Sequence, residues 1–536
     1  MVRAALSIAL ALSVWCLTLP AGAQQTAMPS RPEQAKAKST ADHSKFEALK
    51  GPFTSGPEVT KACLTCHTEA SKQVHKSIHW TWTYKHEGTG QTLGKKSVVN
   101  SFCGNVTSNE PRCTSCHAGY GWTDRNFDFS SEANVDCVVC HDRTGTYRKV
   151  PDGAGHPAAS PRKIGKDSYA PPDWVKVAQN VGMPGRENCG SCHFYGGGGD
   201  GVKHGDLDSS MANPNRKLDV HMGKDGLNFT CETCHTSDAH VLAGSRYDVA
   251  AKDTKGAVHR GTERQAASCE SCHGGQPHKS PALKAYYLNG HIEKVACESC
   301  HIPAMARGGV PTKTLWDWST AGKMKDGKPY AEHDAKGNDT YLSTKGTFKW
   351  EENVIPYYAW FDGKVRYTLV DDKIDPTRTV EVNRIEGSYA DPKARIWPFK
   401  AMQGRQAYDK GTNQLIYMNV FGQNDTAFWT NFDWPKAIEA GMKSAGKEFS
   451  GQHGFVDTVM YWPLAHMVAP KEDSLACASC HARDGRLANV PGFYMPGRDT
   501  FRWLDIIGYL AMAGALAGVI FHGLLRLLFS RNNAAH

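Results

Sequence analysis

The five-residue pattern Cys-x-x-Cys-His occurs eight times in this chain of 536 residues. A disulfide framework or a zinc site could explain paired cysteines, but neither explains a histidine directly after the second cysteine in every copy. Covalent haem attachment does, because the two thiols bond the haem vinyl groups and the adjacent histidine ligates the iron. The sequence therefore predicts eight covalently bound haem c groups. The motifs are Cys63/Cys66/His67, Cys113/Cys116/His117, Cys137/Cys140/His141, Cys189/Cys192/His193, Cys231/Cys234/His235, Cys269/Cys272/His273, Cys297/Cys300/His301 and Cys477/Cys480/His481.

Composition indicates what kind of fold could hold them. The chain is 40% hydrophobic and contains 52 Gly and 27 Pro, which is a thin core for a protein of this length. Eight porphyrins would supply the missing apolar volume. We therefore predict a multihaem cytochrome c fold, mostly α-helices and irregular loops wrapped around a haem core, with few short strands and one C-terminal transmembrane helix.

The motifs are unevenly spread, and the chain divides accordingly. Residues 1–23 read as a signal peptide, with an early arginine, an apolar stretch and a small-residue cleavage site. Residues 24–54 read as a polar linker, and 55–302 as a seven-haem domain. Residues 303–496 form an aromatic-rich segment that returns the eighth haem, in which 365–369 and 379–383 alternate like short strands.

The C-terminal residues 503–529 are almost continuously apolar and long enough to span a bilayer as a helix. Arg526 and Arg531 suit the cytoplasmic side, so the haem-bearing part is expected on the periplasmic side of the bacterial inner membrane, anchored at its C-terminus. His522 lies within the span. It could ligate a haem b or line a quinol site with a partner subunit, or it could simply lie near the interface.

The formal net charge is +8. No basic run or nucleic-acid motif accompanies it, so nucleic acid is not an expected partner. The positive charge either balances haem propionates or steers a small anionic substrate.

Low-spin haems need a second axial ligand, usually another histidine. Histidines that lie upstream of a motif or cluster near the first one are the candidates, whereas His43, His522 and His536 lie outside the haem-bearing region and are not expected to ligate. The candidate ligands are His75, His79, His204, His221, His240, His259, His291 and His466.

Two features are unusual for a pure electron carrier. Cys103 is an unpaired cysteine in an exported chain, whose other non-motif cysteine, Cys16, leaves with the signal peptide. Four consecutive glycines at 196–199 precede Asp200 and Lys203. Such a loop is either a flexible surface loop or a place where backbone approaches a ligand closely.

A resemblance to a known family is carried by the intervals between the motifs and by residues 102–106, 188–200 and 219–223. On these grounds residues 61–481 resemble the octahaem tetrathionate reductases. The resemblance implies seven bis-histidine haems and a catalytic second haem, attached at Cys113, Cys116 and His117, with Lys203 as its distal ligand. It also implies that Asp200 and Cys103 lie in the pocket, where Asp200 would hydrogen-bond the amine or deliver protons. The membrane helix departs from the family if that family is taken as soluble.

The expected function is reduction of a small oxyanion, tetrathionate first and nitrite or hydroxylamine next, with electrons from a quinol-oxidising membrane cytochrome b. A non-catalytic electron conduit to a separate terminal enzyme is the alternative. Oxidation of a reduced nitrogen or sulfur compound, as in hydroxylamine oxidoreductases, is a third reading, although no sequence pattern establishes the tyrosine crosslink used there.

Overall fold

A computed structural model of the chain describes residues 40–102, 104–165, 167–254 and 267–530. From His43 onward the chain forms one unit. The predicted signal peptide, Cys103 and His259 lie outside the described residues, as do 24–39 of the predicted linker.

Helices are short before the C-terminus, and most of them carry a motif or lie next to one. They are α1 Gly56–Leu64, α2 Ala70–Val74, α3 Ile78–Thr81, α4 Glu110–Cys113, α5 Cys137–His141, α6 Trp174–Gln179, α7 Arg186–His193, α8 Glu270–His273, α9 Ala282–His291, α10 Cys297–His301, α11 Phe428–Asn431, α12 Trp434–Ser444, α13 Cys477–Cys480 and α14 Arg502–Ser530.

Strands are concentrated in the second half of the chain. They are β1 Tyr84–Lys85, β2 Thr92–Leu93, β3 Arg162–Ile164, β4 Asp167–Tyr169, β5 Ser237–Asp238, β6 Val241–Leu242, β7 Thr312–Asp317, β8 Met324–Lys325, β9 Lys328–Pro329, β10 Ala331–His333, β11 Asp339–Leu342, β12 Gly346–Glu351, β13 Tyr357–Phe361, β14 Val365–Tyr367, β15 Val380–Glu381, β16 Asn383–Ile385, β17 Arg395–Asp409, β18 Gln414–Leu415 and β19 His453–Pro463.

Nine of the described strands form one sheet, in the order β10-β11-β12-β7-β17-β19-β15, with β13 and β18 also paired to β17. β19 pairs antiparallel with β17 over the whole of β19, from Phe399 opposite Pro463 to Asp409 opposite His453. The two strands contribute Phe399, Met402, Met460 and Trp462 to the largest hydrophobic cluster. The expectation of a mostly α protein with few short strands is therefore wrong for this part. Aromatic and β-branched residues here bury one another in a sheet, instead of only covering haems.

The predicted polar linker also differs at its C-terminal end. His43–Lys45 and Glu47–Leu49 form short 3-10 turns, and Leu49 is buried against Val59, Val138 and Val177. The buried leucine helps to hold this otherwise polar stretch against the unit, because burying its side chain contributes about 1.5–3 kcal/mol.

The C-terminal helix agrees with the predicted span. Within Arg502–Phe529 of α14, an 18-residue stretch has a mean hydropathy of 1.9 and no buried residue, and among the described helices this one is long and apolar enough to cross a membrane.

Candidate functional site

Each motif is built around one helical turn. In the first, fifth, sixth and eighth motifs the histidine amide donates to the carbonyl of the first cysteine, at 2.9 Å in each case. This turn places residues three and four positions apart on the same side of the backbone. Both cysteines and the histidine of a motif therefore face one side, as attachment to a single porphyrin requires.

Seven of the eight motif histidines face a second histidine at nearly constant distance. The distances between ring centroids run from 5.9 to 6.5 Å. The pairs, with the motif histidine first, are His67–His43, His141–His240, His193–His79, His235–His466, His273–His221, His301–His278 and His481–His291.

This spacing fits one metal ion between two imidazoles. Bonds of about 2.0–2.1 Å from each nitrogen to a metal would hold the two ring centroids about 6 Å apart. In several rings Nδ1 is already occupied: His141 pairs with the Gly182 carbonyl at 2.8 Å and His235 with the Ala243 carbonyl at 2.9 Å. Such a bond fixes the ring and leaves Nε2 for the metal. The residues present therefore fit bis-histidine haem iron.

The structure brings five of the candidate second histidines into these pairs, namely His79, His221, His240, His291 and His466. It does not do so for two others. His75 stacks on Trp80 with centroids 4.6 Å apart, and His204 meets the edge of Trp462 at 5.3 Å.

Two paired histidines are absent from the sequence-based candidates. His43, expected to lie outside the haem region, faces His67, because the buried turn at Leu49 brings it back. His278, held by the Asn289 side chain at 3.0 Å, faces His301. Both lie far upstream of their partners. The only sequence signal for them is a count: eight haems need more second ligands than the histidines near the motifs supply.

The second motif differs from the other seven. The His117 ring is 1% exposed and is enclosed by Trp80, Trp82, Trp122 and Phe127, with centroids 4.9–5.4 Å away. Its Nε2 lies 2.7 Å from the Trp80 carbonyl, and its Nδ1 is buried without a described partner. The resemblance implied His117 as an iron ligand opposite Lys203. In the structure its Nε2 is turned to the protein instead.

Charge around His117 favours the neutral ring. Burial, opposed by the Trp80 carbonyl and helped by Lys149, lowers the pKa of His117 to about 3. Lys149 also donates to the His117 carbonyl at 2.5 Å and pairs with the buried Asp136 carboxylate at 2.8 Å. Asp136 accepts the amide of Val139 in the third motif, so this cluster links the second and third motifs.

Lys203 lies next to the second motif as a candidate ligand. Its pKa is well below the ordinary lysine value, first because burial disfavours the charged amine and then because Arg246 and Lys95 add positive charge nearby, with Cys116 opposing them. The amine lies 4.9 Å from the centre of the Trp462 ring, and the Arg246 guanidinium lies 4.6 Å from the same ring. A neutral amine has the lone pair that a metal ligand needs.

The backbone of Lys203 is held by a second lysine. Lys400, 0% exposed on β17, donates to the carbonyls of Val202 at 2.8 Å and Lys203 at 3.2 Å, and to the Thr312 hydroxyl at 2.6 Å. That hydroxyl donates to the Gly201 carbonyl at 2.7 Å. Sequence reasoning missed Lys400, Trp462 and Arg246. A lysine inside an aromatic strand was the available signal for Lys400.

Asp200 was expected to hydrogen-bond the Lys203 amine, but in the structure its carboxylate binds Ser209. Its carboxylate accepts the Ser209 amide at 2.8 Å and the Ser209 hydroxyl, and so closes the glycine-rich loop. Cys103 lies outside the described residues, but its neighbour Phe102 packs near Trp462 at 6.1 Å and against Gly197. The chain on one side of Cys103 therefore touches the loop that carries Lys203.

Neighbouring motifs meet through their thiols. Cys116 interacts with Cys192, Cys63 with Cys137, Cys189 with Cys231, and Cys269 with Cys297. Groups attached at these cysteines would be adjacent. This is the arrangement that electron transfer from one centre to the next requires.

The motif thiols differ in exposure. Cys66, Cys140, Cys234, Cys272 and Cys477 are exposed, and the other motif cysteines are partly buried. The first four are second cysteines, in motifs whose first cysteine contacts a neighbouring motif. An exposed thiol is accessible to a haem vinyl group, so all five stay predicted attachment residues.

Comparison with known proteins agrees with this geometry. A family model described as Cytochrome c bacterial matches residues 313–484, and one described as Cytochrome c554 and c-prime matches 62–142 and 230–302. An uncharacterized protein of Archaeoglobus fulgidus is 25% identical over 260 residues, which is 40% of this chain and 85% of that protein.

A solved structure extends the likeness to most of the chain. The octaheme cytochrome c from Shewanella oneidensis is 43% identical, with a TM-score of 0.73, and the match covers 83% of this chain and 95% of that one. With the haem-attachment turns and the paired histidines, this likeness shows that the chain belongs to the octahaem c-type cytochromes and carries covalently bound haem c for redox chemistry and electron transfer.

Proposed function

We propose that this protein is a periplasmic, membrane-anchored cytochrome that binds eight haems and reduces small sulfur or nitrogen oxyanions at its second motif, with Lys203 as the iron ligand there. The observation that supports this proposal most strongly is the orientation of the His117 ring. Its Nε2 is taken by the Trp80 carbonyl, whereas every other motif histidine faces a second histidine. Cys116 of the same motif is near enough to Lys203 to oppose the lowering of its pKa.

The seven histidine pairs would hold the other seven haems. Two imidazoles saturate an iron and leave no position for a substrate. At the second motif, Lys203 would take the place of His117, so one side of the site would lack a protein ligand. Bound haem supplies an iron that accepts and releases single electrons. The chain's part is to keep the Lys203 amine neutral and fixed in position.

The surroundings of Lys203 favour an anionic substrate. Lys95 and Arg246 are both close enough to lower its pKa. A buried Nη1 of Arg246 has no described hydrogen-bond partner. Positive groups with unused donors attract small anions into a cleft. We therefore place the tetrathionate dianion first among the substrates, with the nitrite anion and the uncharged hydroxylamine next.

Reduction of tetrathionate requires two electrons and no protons. Two electrons cleave the central sulfur–sulfur bond and release two thiosulfate anions, so no proton is consumed at the substrate. The electrons would come from a quinol oxidised by a membrane cytochrome b, which loses two electrons and two protons. Cys103 follows Phe102, which packs against the glycine-rich loop, and its thiol would provide sulfur chemistry for the substrate.

The test is reoxidation of the reduced, purified protein by tetrathionate, nitrite and hydroxylamine in separate assays. We expect one acceptor to reoxidise the haems rapidly and Lys203→Ala to lose this reaction, together with a change in the spectrum of a single haem. Lys325→Ala, in the exposed β8, is the matched control and should behave like the wild type.

Two other results would count against the proposal. Reoxidation by none of the acceptors would favour the electron conduit. An unchanged spectrum and rate in Lys203→Ala would remove Lys203 from the site.

A further inference from the structure

The segment that follows the eighth motif stays attached to it almost up to the membrane helix. His481 Nδ1 lies 2.9 Å from the Pro496 carbonyl, and an added Cβ on Gly497 would come within 2.4 Å of the His481 carbonyl oxygen. Arg498 donates to the carbonyls of Val490 at 2.6 Å and Phe493 at 2.5 Å. The fixed part of the segment therefore reaches at least Arg498.

This attachment limits how far the eighth motif can lie from a membrane. Arg502, where α14 begins, lies six positions after Pro496. Even fully extended, at about 3.6 Å per residue, these six steps span no more than about 22 Å. The limit holds for any orientation of α14, because it depends only on chain length. His481 is thus tied to the start of the predicted membrane span.

The surface beside this motif has the composition of a membrane interface. Tyr494 and Phe501 are 55% and 49% exposed and stack with their centroids 5.3 Å apart. On α9, Leu283, Tyr286 and Tyr287 are 69%, 74% and 59% exposed. They lie three and four residues apart, on one side of the helix. Tyrosine is enriched where membranes meet water.

Helix α9 belongs to the eighth site. It ends at His291, whose ring faces His481 at 5.9 Å and whose Nδ1 lies 2.7 Å from the Tyr287 carbonyl. Lys279 and Lys284 precede the exposed tyrosines in sequence and suit anionic lipid headgroups.

We infer that the face formed by Leu283, Tyr286 and Tyr287, together with Tyr494 and Phe501, rests on the lipid headgroups, and that the eighth motif is where electrons from the membrane arrive. This inference rests on the proposed C-terminal anchor. The donor is a quinol, which is oxidised to the quinone with loss of two electrons and two protons. The electrons pass singly to the cytochrome and the protons to the aqueous phase.

The eighth motif also has a direct neighbour deeper in the protein. The amide of Leu475 donates to the Cys300 carbonyl at 3.0 Å, and that of Ala469 donates to the His301 carbonyl at 2.8 Å. The chain leading to the eighth motif is therefore bound to the seventh. The seventh in turn meets the sixth through Cys297 and Cys269. The eighth, seventh and sixth motifs thus form a series of adjacent sites.

The test places the full-length holoprotein in phosphatidylcholine–phosphatidylglycerol vesicles that contain a gadolinium-labelled headgroup lipid. Electron paramagnetic resonance then measures how strongly the label speeds relaxation of each haem signal. His291→Met identifies the eighth signal by shifting it, and His240→Met identifies the third. We expect a several-fold larger effect at the eighth site, reduced in a Tyr286→Ser, Tyr287→Ser double variant.

The outcomes separate the inference from the anchor on which it rests. If the protein sediments with the vesicles but another haem responds most strongly, or all respond equally, the inference is overturned and the anchor stands. If the protein does not sediment with the vesicles, both are overturned. A variant lacking 502–536 should remain soluble and show no relaxation effect. This deletion spares Arg498 and the segment that covers the eighth motif.

Discussion

Two buried lysines meet where Lys400 binds the backbone of Lys203, and the two side chains have different roles. The Lys203 amine is free of carboxylate partners among the described ion pairs and is kept neutral beside the second motif, whereas Lys400 holds the carbonyls of Val202 and Lys203. Few buried cations lack a carboxylate, because removing a charge from water is costly. At Lys400, three oxygen acceptors compensate part of that cost. The burial of Lys400 is therefore explained by its hydrogen bonds to the backbone of Val202 and Lys203.

Lys400 predicts a measurable pH dependence of stability. Burial lowers its pKa from 10.5 to about 7. Between these values the unfolded chain binds a proton that the folded protein does not, so this residue makes the free energy of unfolding rise with pH. The slope approaches about 1.4 kcal/mol per pH unit. Denaturant titrations from pH 6 to 10 should show the rise in the wild type and a smaller rise in Lys400→Met. Lys436→Met, at an exposed lysine, is the control. Equal slopes in all three would contradict the prediction.

The elements that shape the second site come from both halves of the chain. β17 and β19 place Lys400 opposite Trp462, so these neighbours on adjacent strands project to the same side of the sheet. Lys400 holds the end of the glycine-rich loop, and Trp462 lies beneath the Lys203 amine. The loop packs on the sheet because Gly197, at φ +82°, leaves room for Phe102 and Val202. The aromatic-rich segment that was predicted only to return the eighth haem thus also forms a wall of the second site.

Gly197 and Gly198 allow the contact to be tested separately from backbone strain. Both have positive φ, +82° and +93°, so alanine is strained at either position. An added Cβ would meet Val202 at 2.9 Å and Phe102 at 3.2 Å from Gly197, but nothing within 4 Å from Gly198. Gly197→Ala should therefore alter the spectrum of the second haem and lower turnover more than Gly198→Ala does. Equal effects of the two variants would show that packing against Phe102 is unimportant.

Across the whole molecule, hydrophobic burial is unequal. The sheet and its surroundings share one large cluster, whereas the described residues of the seven-motif segment also contain small separate clusters, such as Leu49 with Val59 and Val177, or Trp82 with Val106 and Trp122. Clusters of this size cannot offset the conformational entropy of the loops that join them. The first half therefore depends on haem for its core, and the sheet depends on it less.

Haem removal should consequently affect the two halves differently. In the full chain produced without haem attachment, we expect amide hydrogen exchange to show residual protection in β17 and β19 and none in α5, α7 and α10. The sheet retains partners such as Phe399 and Met460, while the motif helices lose the group they surround. The holoprotein is the reference. Uniform loss, or equal protection in both halves, would show that the chain folds as one unit irrespective of haem.

Haem attachment could be read from the sequence because it is local: two cysteines and a histidine within one helical turn suffice. The long apolar C-terminal helix could be read equally well, since length and apolarity define it. The second ligands could not, because the rings of His466 and His235, or of His43 and His67, meet only after distant segments fold together. The same holds for His117, whose motif predicts a ligand but whose ring is turned away by the Trp80 carbonyl. Local spacing governs covalent chemistry, whereas coordination depends on which side chains the folded chain brings to opposite sides of one centre.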